Sequence, residues 1–265
     1  MRIVSWFLAT MLGLVFSASA NAQVTRAPDE RLAVAPTGKL RVGMFAVSPI
    51  HAKKDPVSGD LKGPAVDLGR ELARHIGVPF EAVPYSTIPA LLAGATSGEW
   101  DVATMGISAE RQKVVEFTVP FMIVEYAYLV PGGSSISAPA DIDRPNIRIA
   151  VAEKGAPDAF LTHTLKQASL IRLPALPQMI EALRAGSADA LYGVKAAILE
   201  QAEKFNGARI IDDPLGGEQT ALALPRGRAG VTYVQRFVEY AKNEGLVRAA
   251  IERAALRGVV VAPAK

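Results

Sequence analysis

From Leu40 onward the chain alternates short apolar, β-branched runs with longer stretches of helical period. Runs rich in Val, Ile and aromatic residues, bounded by Gly, Pro or Asp, predict strands at 40–45, 80–85, 101–105, 126–130, 147–152, 188–192, 209–211 and 221–224. Residues 65–76 place Val66, Leu68, Leu72, Ala73 and Ile76 on one face and are followed by Gly77, the pattern of an amphipathic helix with a glycine stop. Similar reasoning predicts helices at 88–93, 157–167, 177–185, 196–205, 232–243 and 246–256. Alternation of β and α units implies an α/β protein whose sheets carry helices on both faces. A helix, a Gly stop, a strand and another Gly occur at 89–106 and again at 179–193. Many α/β chains contain such units, but the echo also fits two similar lobes whose strand ends face a shared cleft, where ligands of α/β sheets bind.

The N-terminus breaks this pattern. Arg2 precedes an apolar run over 3–16, and Ala18, Ala20 and Ala22 supply small residues before Gln23. This is the layout of a secretory signal peptide cleaved after Ala22. The apolar run is short for a bilayer span, which needs about 20 residues. Residues 23–36 are polar and Pro-containing and read as a flexible leader. What remains suffices for one large domain or two small ones.

Composition narrows the function classes. Cys is absent, which excludes disulfides, cysteine-based metal sites and a lipidated cysteine anchor. A freely soluble exported chain is best retained in a periplasm, the expected location. A formal net charge of +3, scattered basic residues and 6% aromatic content give no nucleic-acid surface. No metal-ligand spacing, Ser/His/Asp set or phosphate loop is present, so no cofactor is expected.

The order of motifs resembles the family 3 periplasmic solute-binding proteins over about 40–259. It begins with Leu40, Arg41, Val42 and Gly43, and continues with Gly63 to Leu68 and Glu71 to Ala73, where Pro64 and Ala65 depart from the family pattern. The most specific stretch runs from Trp100 and Asp101 through Ser108, Glu110 and Arg111 to Phe117, Thr118, Pro120 and Phe121. Ile149 to Gly155 and Leu222 to Gly227 are similar to the second-lobe strand and the strand returning to the first lobe.

The resemblance implies lobe 1 at 37–126 and 222–265 and lobe 2 at 127–221, joined by two crossing strands. It also implies a monomer that hands a small carboxylate-bearing solute to an ABC transporter permease. Arg111 is then the leading ligand contact, since a guanidinium fork matches a carboxylate with two hydrogen bonds. Its alternative is a surface pair with Glu110 or Glu116. Ser108 fills the hydroxyl position three residues earlier, and Gly106 stands where the family often has Thr. Gly155 and Ala156 occupy the Gly-Ser/Thr position at a helix start, where backbone N–H groups favour an anion, although the hydroxyl is lost. His51 lies where the family presents an aromatic wall.

Two positions bear on ligand class. Val194 stands where amino-acid binders place the Asp that holds the ligand ammonium. A carboxylate lacking that ammonium is therefore expected, unless Glu125, Glu153 or Glu218 replaces the Asp. Lys195 is either a solvated helix-start lysine or a second cation for an anionic ligand. Glu125, a charge inside an apolar strand, needs a partner, which could be the ligand or Arg111. The same scaffold hosts cyclohexadienyl (prephenate or arogenate) dehydratases. In that alternative Glu125 or Glu153 is the general acid, with Arg111 and Lys195 as cations.

Overall fold

The computed structural model describes residues 32–263; the expected signal peptide, and the leader up to residue 31, lie outside them. Strands β1 (Leu40–Phe45), β2 (Val47–Ser48), β3 (Ala52–Lys54) and β4 (Leu61–Lys62) lead into helix α1 (Pro64–Ile76). Then follow β5 (Phe80–Tyr85), α2 (Ile88–Ser97), β6 (Val102–Gly106) and β7 (Val115–Val130). Next come β8 (Arg148–Ala152), α3 (Ala156–Thr164), β9 (Ser169–Leu173), α4 (Leu176–Arg184), β10 (Ala190–Val194) and α5 (Lys195–Ala202). The chain closes with β11 (Arg209–Pro225), α6 (Val231–Asn243), α7 (Leu246–Arg253) and β12 (Val259–Val261).

One mixed sheet runs β5-β1-β6-β11-β7-β10-β8-β9, with β12 also paired to β7. Its two ends are parallel, β5-β1-β6 in the first lobe and β10-β8-β9 in the second. Between them β7 and β11 form an antiparallel ladder that passes through both lobes. Each end buries apolar side chains on both faces. Tyr126, Tyr128, Leu161 and Tyr192 pack on one face of lobe 2, and Ala127, Leu129, Met179 and Ile198 on the other. The large lobe 1 core gathers Val42, Leu68, Leu72, Leu222 and Phe237. Trp100, Leu91 and Met105 fill the opposite face. This is the two-sided α/β architecture that the alternating pattern requires.

Three expectations are corrected. The strand expected at 126–130 begins at Val115, and the two expected at 209–211 and 221–224 are one continuous strand. Pro120, Glu125 and Pro214 hid this, because proline and charge read as strand breakers. The ladder accommodates them at its irregularities: register shifts flank the Ala221–Pro120 pair, and another lies between Asp212 and Gly217, which spans Pro214. Secondly, the expected flexible leader at 23–36 ends in ordered chain: residues 32–34 are helical and Val34 and Ala35 are buried in the lobe 1 core, and the segment before α1 carries a small sheet, β2-β3-β4. Thirdly, Gly193 and Val194 close β10 rather than forming a loop after it.

Candidate functional site

The end of β6 in lobe 1 brings four expected residues together. Gly106 pairs with Thr220 of β11, and the Ile107 N–H donates to the Gln219 carbonyl at 2.8 Å, which fixes where the chain leaves the sheet. Ser108 Oγ then accepts the Arg111 N–H at 3.3 Å, starting a short 3-10 turn over Arg111–Lys113. That turn folds the Arg111 side chain back over the strand end. Its Nη1 donates to the Gly106 carbonyl at 2.5 Å and lies 3.6 Å from Glu218 Oε1. Both side chains keep part of their surface in solvent, 22% for Arg111 and 32% for Glu218. The alternative pairing of Arg111 with Glu110 does not form; Glu110 binds Lys113.

Gly106 is required here by space. A Cβ on it would run into the Glu218 carboxylate and come within 2.9 Å of Arg111 Nη1.

His51 approaches from the loop between β2 and β3. Its carbonyl accepts the Ala65 N–H at 3.0 Å, and a Cβ on Gly63 would lie 2.6 Å from that oxygen, so the glycine lets the loop dock on the start of α1. The imidazole meets the Phe45 ring edge-on at 6.3 Å. Its Nδ1 is sealed from solvent without a hydrogen-bond partner, although the residue as a whole is only half-buried. Burial, then the charge of Arg111, push its pKa down to about 4. At neutral pH the ring is uncharged.

The other expected residues lie elsewhere. Lys195 opens α5, and its Nζ sits 2.9 Å from Asp212 Oδ1 and 3.2 Å from Glu125 Oε2. Burial pulls the ammonium pKa down, but the two carboxylates outweigh it and hold it above the ordinary value. Glu125 therefore pairs with Lys195, not with Arg111. The register shows why. Directly opposed residues share a face of a ladder and successive residues alternate. Glu218 opposes Val124 and Gly217 opposes Glu125, so Glu125 and Glu218 point to opposite faces.

Val194 opposes Tyr126 and packs against the cores of both lobes, offering no polar atom. Gly155 caps α3, and Ala156 is exposed. The first turn of that helix already holds a carboxylate: Asp158 accepts the Lys154 N–H at 3.0 Å and Arg172 Nε at 2.8 Å. Pro157 removes one further donor. Glu153 is exposed in the preceding turn.

Sequence reasoning left Glu218 as one of three acids and missed its contact with Arg111. It also missed Tyr126, whose phenol pKa is raised by burial and by the charge of Glu218. Nothing in local spacing joins these residues; the strand register does. Among the described residues no group of acidic or His side chains could hold a metal ion, and no helix is long and apolar enough to cross a membrane. A cavity of about 500 Å³ lies between Pro49, Lys53, Lys62 and Arg253, and none of the residues discussed above as ligand contacts lines it.

Comparison with known proteins gives a consistent picture. The model of the bacterial extracellular solute-binding proteins, family 3, matches residues 40–254. The chain is 24% identical over 242 residues to the ABC transporter glutamine-binding protein GlnH of Bacillus subtilis, covering 87% of this chain and 86% of that protein. It is 26% identical over 255 residues to the cyclohexadienyl dehydratase of Pseudomonas aeruginosa, covering 91% and 90%. Among solved structures, a putative ABC-transporter binding component from Wolinella succinogenes complexed with lysine superposes with a TM-score of 0.61 at 25% identity, covering 82% of this chain and 95% of that one.

Proposed function

The chain belongs to the bacterial extracellular solute-binding proteins, family 3, and from that membership we propose that it is an exported receptor whose lobes close on a small carboxylate-bearing solute and present it to an ABC permease. The lobes divide within the β7–β11 ladder, near 126/127 on β7 and between Asp212 and Gly217 on β11, since Thr220 and Ala221 pair with Gly106 and Met105 of β6. The observation that carries this reading is Arg111. Its guanidinium is partly exposed at the end of β6, tethered through one nitrogen to Gly106 and held by the Ser108 turn. Such a fork is pre-positioned for a carboxylate without filling its whole donor set.

Two ligand classes are supported by different residues. Val194 offers no acceptor, which favours keto, hydroxy, aromatic or dicarboxylic acids without an α-ammonium. Glu218 beside Arg111 favours a ligand that keeps one. Calorimetric titration of the twenty amino acids against their matched 2-oxo and 2-hydroxy acids separates the two. If no carboxylate binds, the receptor reading falls.

The likeness to the Pseudomonas dehydratase supports a second reading, an enzyme on the same scaffold. Of the two candidate acids, Glu125 is engaged by Lys195 on the ladder face opposite to Glu218 and Glu153 is exposed in the turn before α3, which favours the receptor. Loss of prephenate or arogenate on incubation with the protein would reverse that preference.

A further inference from the structure

We infer that Glu218 is the acceptor for a cationic group lying beside the ligand carboxylate, and that it takes over from the hinge strand β11 the role left empty at Val194. The inference rests on the receptor reading above.

Three observations converge on it. First, the Glu218–Arg111 pair is loose. The separation of 3.6 Å exceeds a hydrogen bond, Arg111 Nη1 is already committed to the Gly106 carbonyl, and among the described residues neither Glu218 oxygen accepts a hydrogen bond. A partly exposed carboxylate with open lone pairs beside the proposed carboxylate anchor Arg111 is placed to accept a donor from the ligand.

Secondly, the glycine at 106 and the glutamate at 218 are complementary in space. The Glu218 carboxylate occupies the volume that any side chain at 106 would need. Where the resemblance expects a Thr hydroxyl, this chain therefore presents a carboxylate from the neighbouring strand. The strand face is polar beneath it. Thr104 and Thr220 lie on the face shared by Gly106 and Glu218, and both hydroxyls are buried without a partner. His51 Nδ1 is similarly unpaired.

Thirdly, the charges elsewhere leave this role to Glu218. Val194 is apolar, Glu125 and Asp212 are taken by Lys195, and Lys195 itself points to the face away from Glu218. Lys195 thus does not repel a cation at Glu218. A bare carboxylate on Arg111 would face the Glu218 carboxylate as a like charge, whereas a zwitterion alternates sign with both residues.

The test compares charge-matched ligands. The twenty L-amino acids and their 2-oxo analogues are titrated calorimetrically into the wild-type chain, Glu218→Gln, Glu218→Asp and Arg111→Ala, with ligand-free melting to establish that each is folded. The expected result is a wild type that binds at least one amino acid tenfold or more tighter than its 2-oxo acid. Glu218→Gln loses at least tenfold for the amino acid and keeps or gains affinity for the 2-oxo acid, while Glu218→Asp retains part of the preference. A wild type that favours 2-oxo acids, or a Glu218→Gln that weakens both series equally, overturns the assignment. If Arg111→Ala abolishes binding and Glu218→Gln leaves amino-acid binding intact, the receptor reading stands and the role of Glu218 falls. If neither series binds the wild type, both fall.

Discussion

Arg41 and Asp101 are tied by main chain and side chain together. The Arg41 N–H and Nε both donate to Asp101 Oδ2 at 3.0 Å, Nη2 donates to Oδ1 at 2.7 Å, and the Asp101 N–H returns to the Arg41 carbonyl at 2.8 Å. Lobe 2 repeats the device with Arg148 and Asp189. There the Arg148 N–H and Nε reach Oδ2 at 2.8 and 3.0 Å, and the Asp189 N–H returns to the Arg148 carbonyl at 2.8 Å. In each lobe it fixes the entry of a central strand, β6 or β10, beside its parallel neighbour. The sequence echo between 89–106 and 179–193 is thus the trace of a shared structural joint.

The two joints differ in burial, and their loss should differ in cost. Asp101 is fully buried and also binds Arg228 Nη1 at 2.6 Å, whereas the Asp189 side chain is 31% exposed. Asp101→Asn leaves two arginines short of a buried partner and should cost about 3–5 kcal/mol. Asp189→Asn should cost about 1–2 kcal/mol, because solvent screens what remains. Urea unfolding of both variants checks the order; equal losses would show that burial does not govern the joint.

Arg111→Ala should weaken binding of whichever carboxylate the chain takes by about 2–5 kcal/mol, the usual loss on truncating a buried charged partner. Arg111→Lys should recover only part, since a point charge cannot replace the fork. Calorimetric affinity within a factor of two of wild type would remove Arg111 from the site.

His51 makes stability depend on acidity. Its folded pKa of about 4 lies below the ordinary value of 6.5, so between those values the unfolded chain binds the extra proton. Folding stability from this group is complete above pH 6.5 and is lost as the pH falls towards 4. Relative to His51→Leu, the wild type should lose up to roughly 3 kcal/mol across that window. The carboxylates common to both chains cancel in the difference, so a flat difference curve from unfolding at stepped pH would mean that the ring titrates freely.

A ligand that touches both lobes biases their hinge towards closure. Small-angle scattering should show a smaller radius of gyration at saturating ligand than in its absence. The bend belongs in the β7–β11 ladder, where the register breaks between Asp212 and Gly217 and Leu215 is 83% exposed. An unchanged radius would point to a rigid site.

By itself the sequence determined the α/β class, the order of most elements and the three-residue spacing of Ser108 and Arg111. These depend on periodicity, glycine stops and short-range spacing, which are local properties of the chain. Tertiary structure decided which charges meet. Glu125 and Glu218 were equivalent as candidate acceptors until the register of β7 against β11 sent their side chains to opposite faces, one to Lys195 and the other to Arg111. Lys195 was open to two readings until Asp212, brought in by the second crossing strand, completed its surroundings. A one-residue shift of pairing would exchange those faces. Register between strands so distant in sequence is set by the packing of both lobes, and no local pattern encodes it.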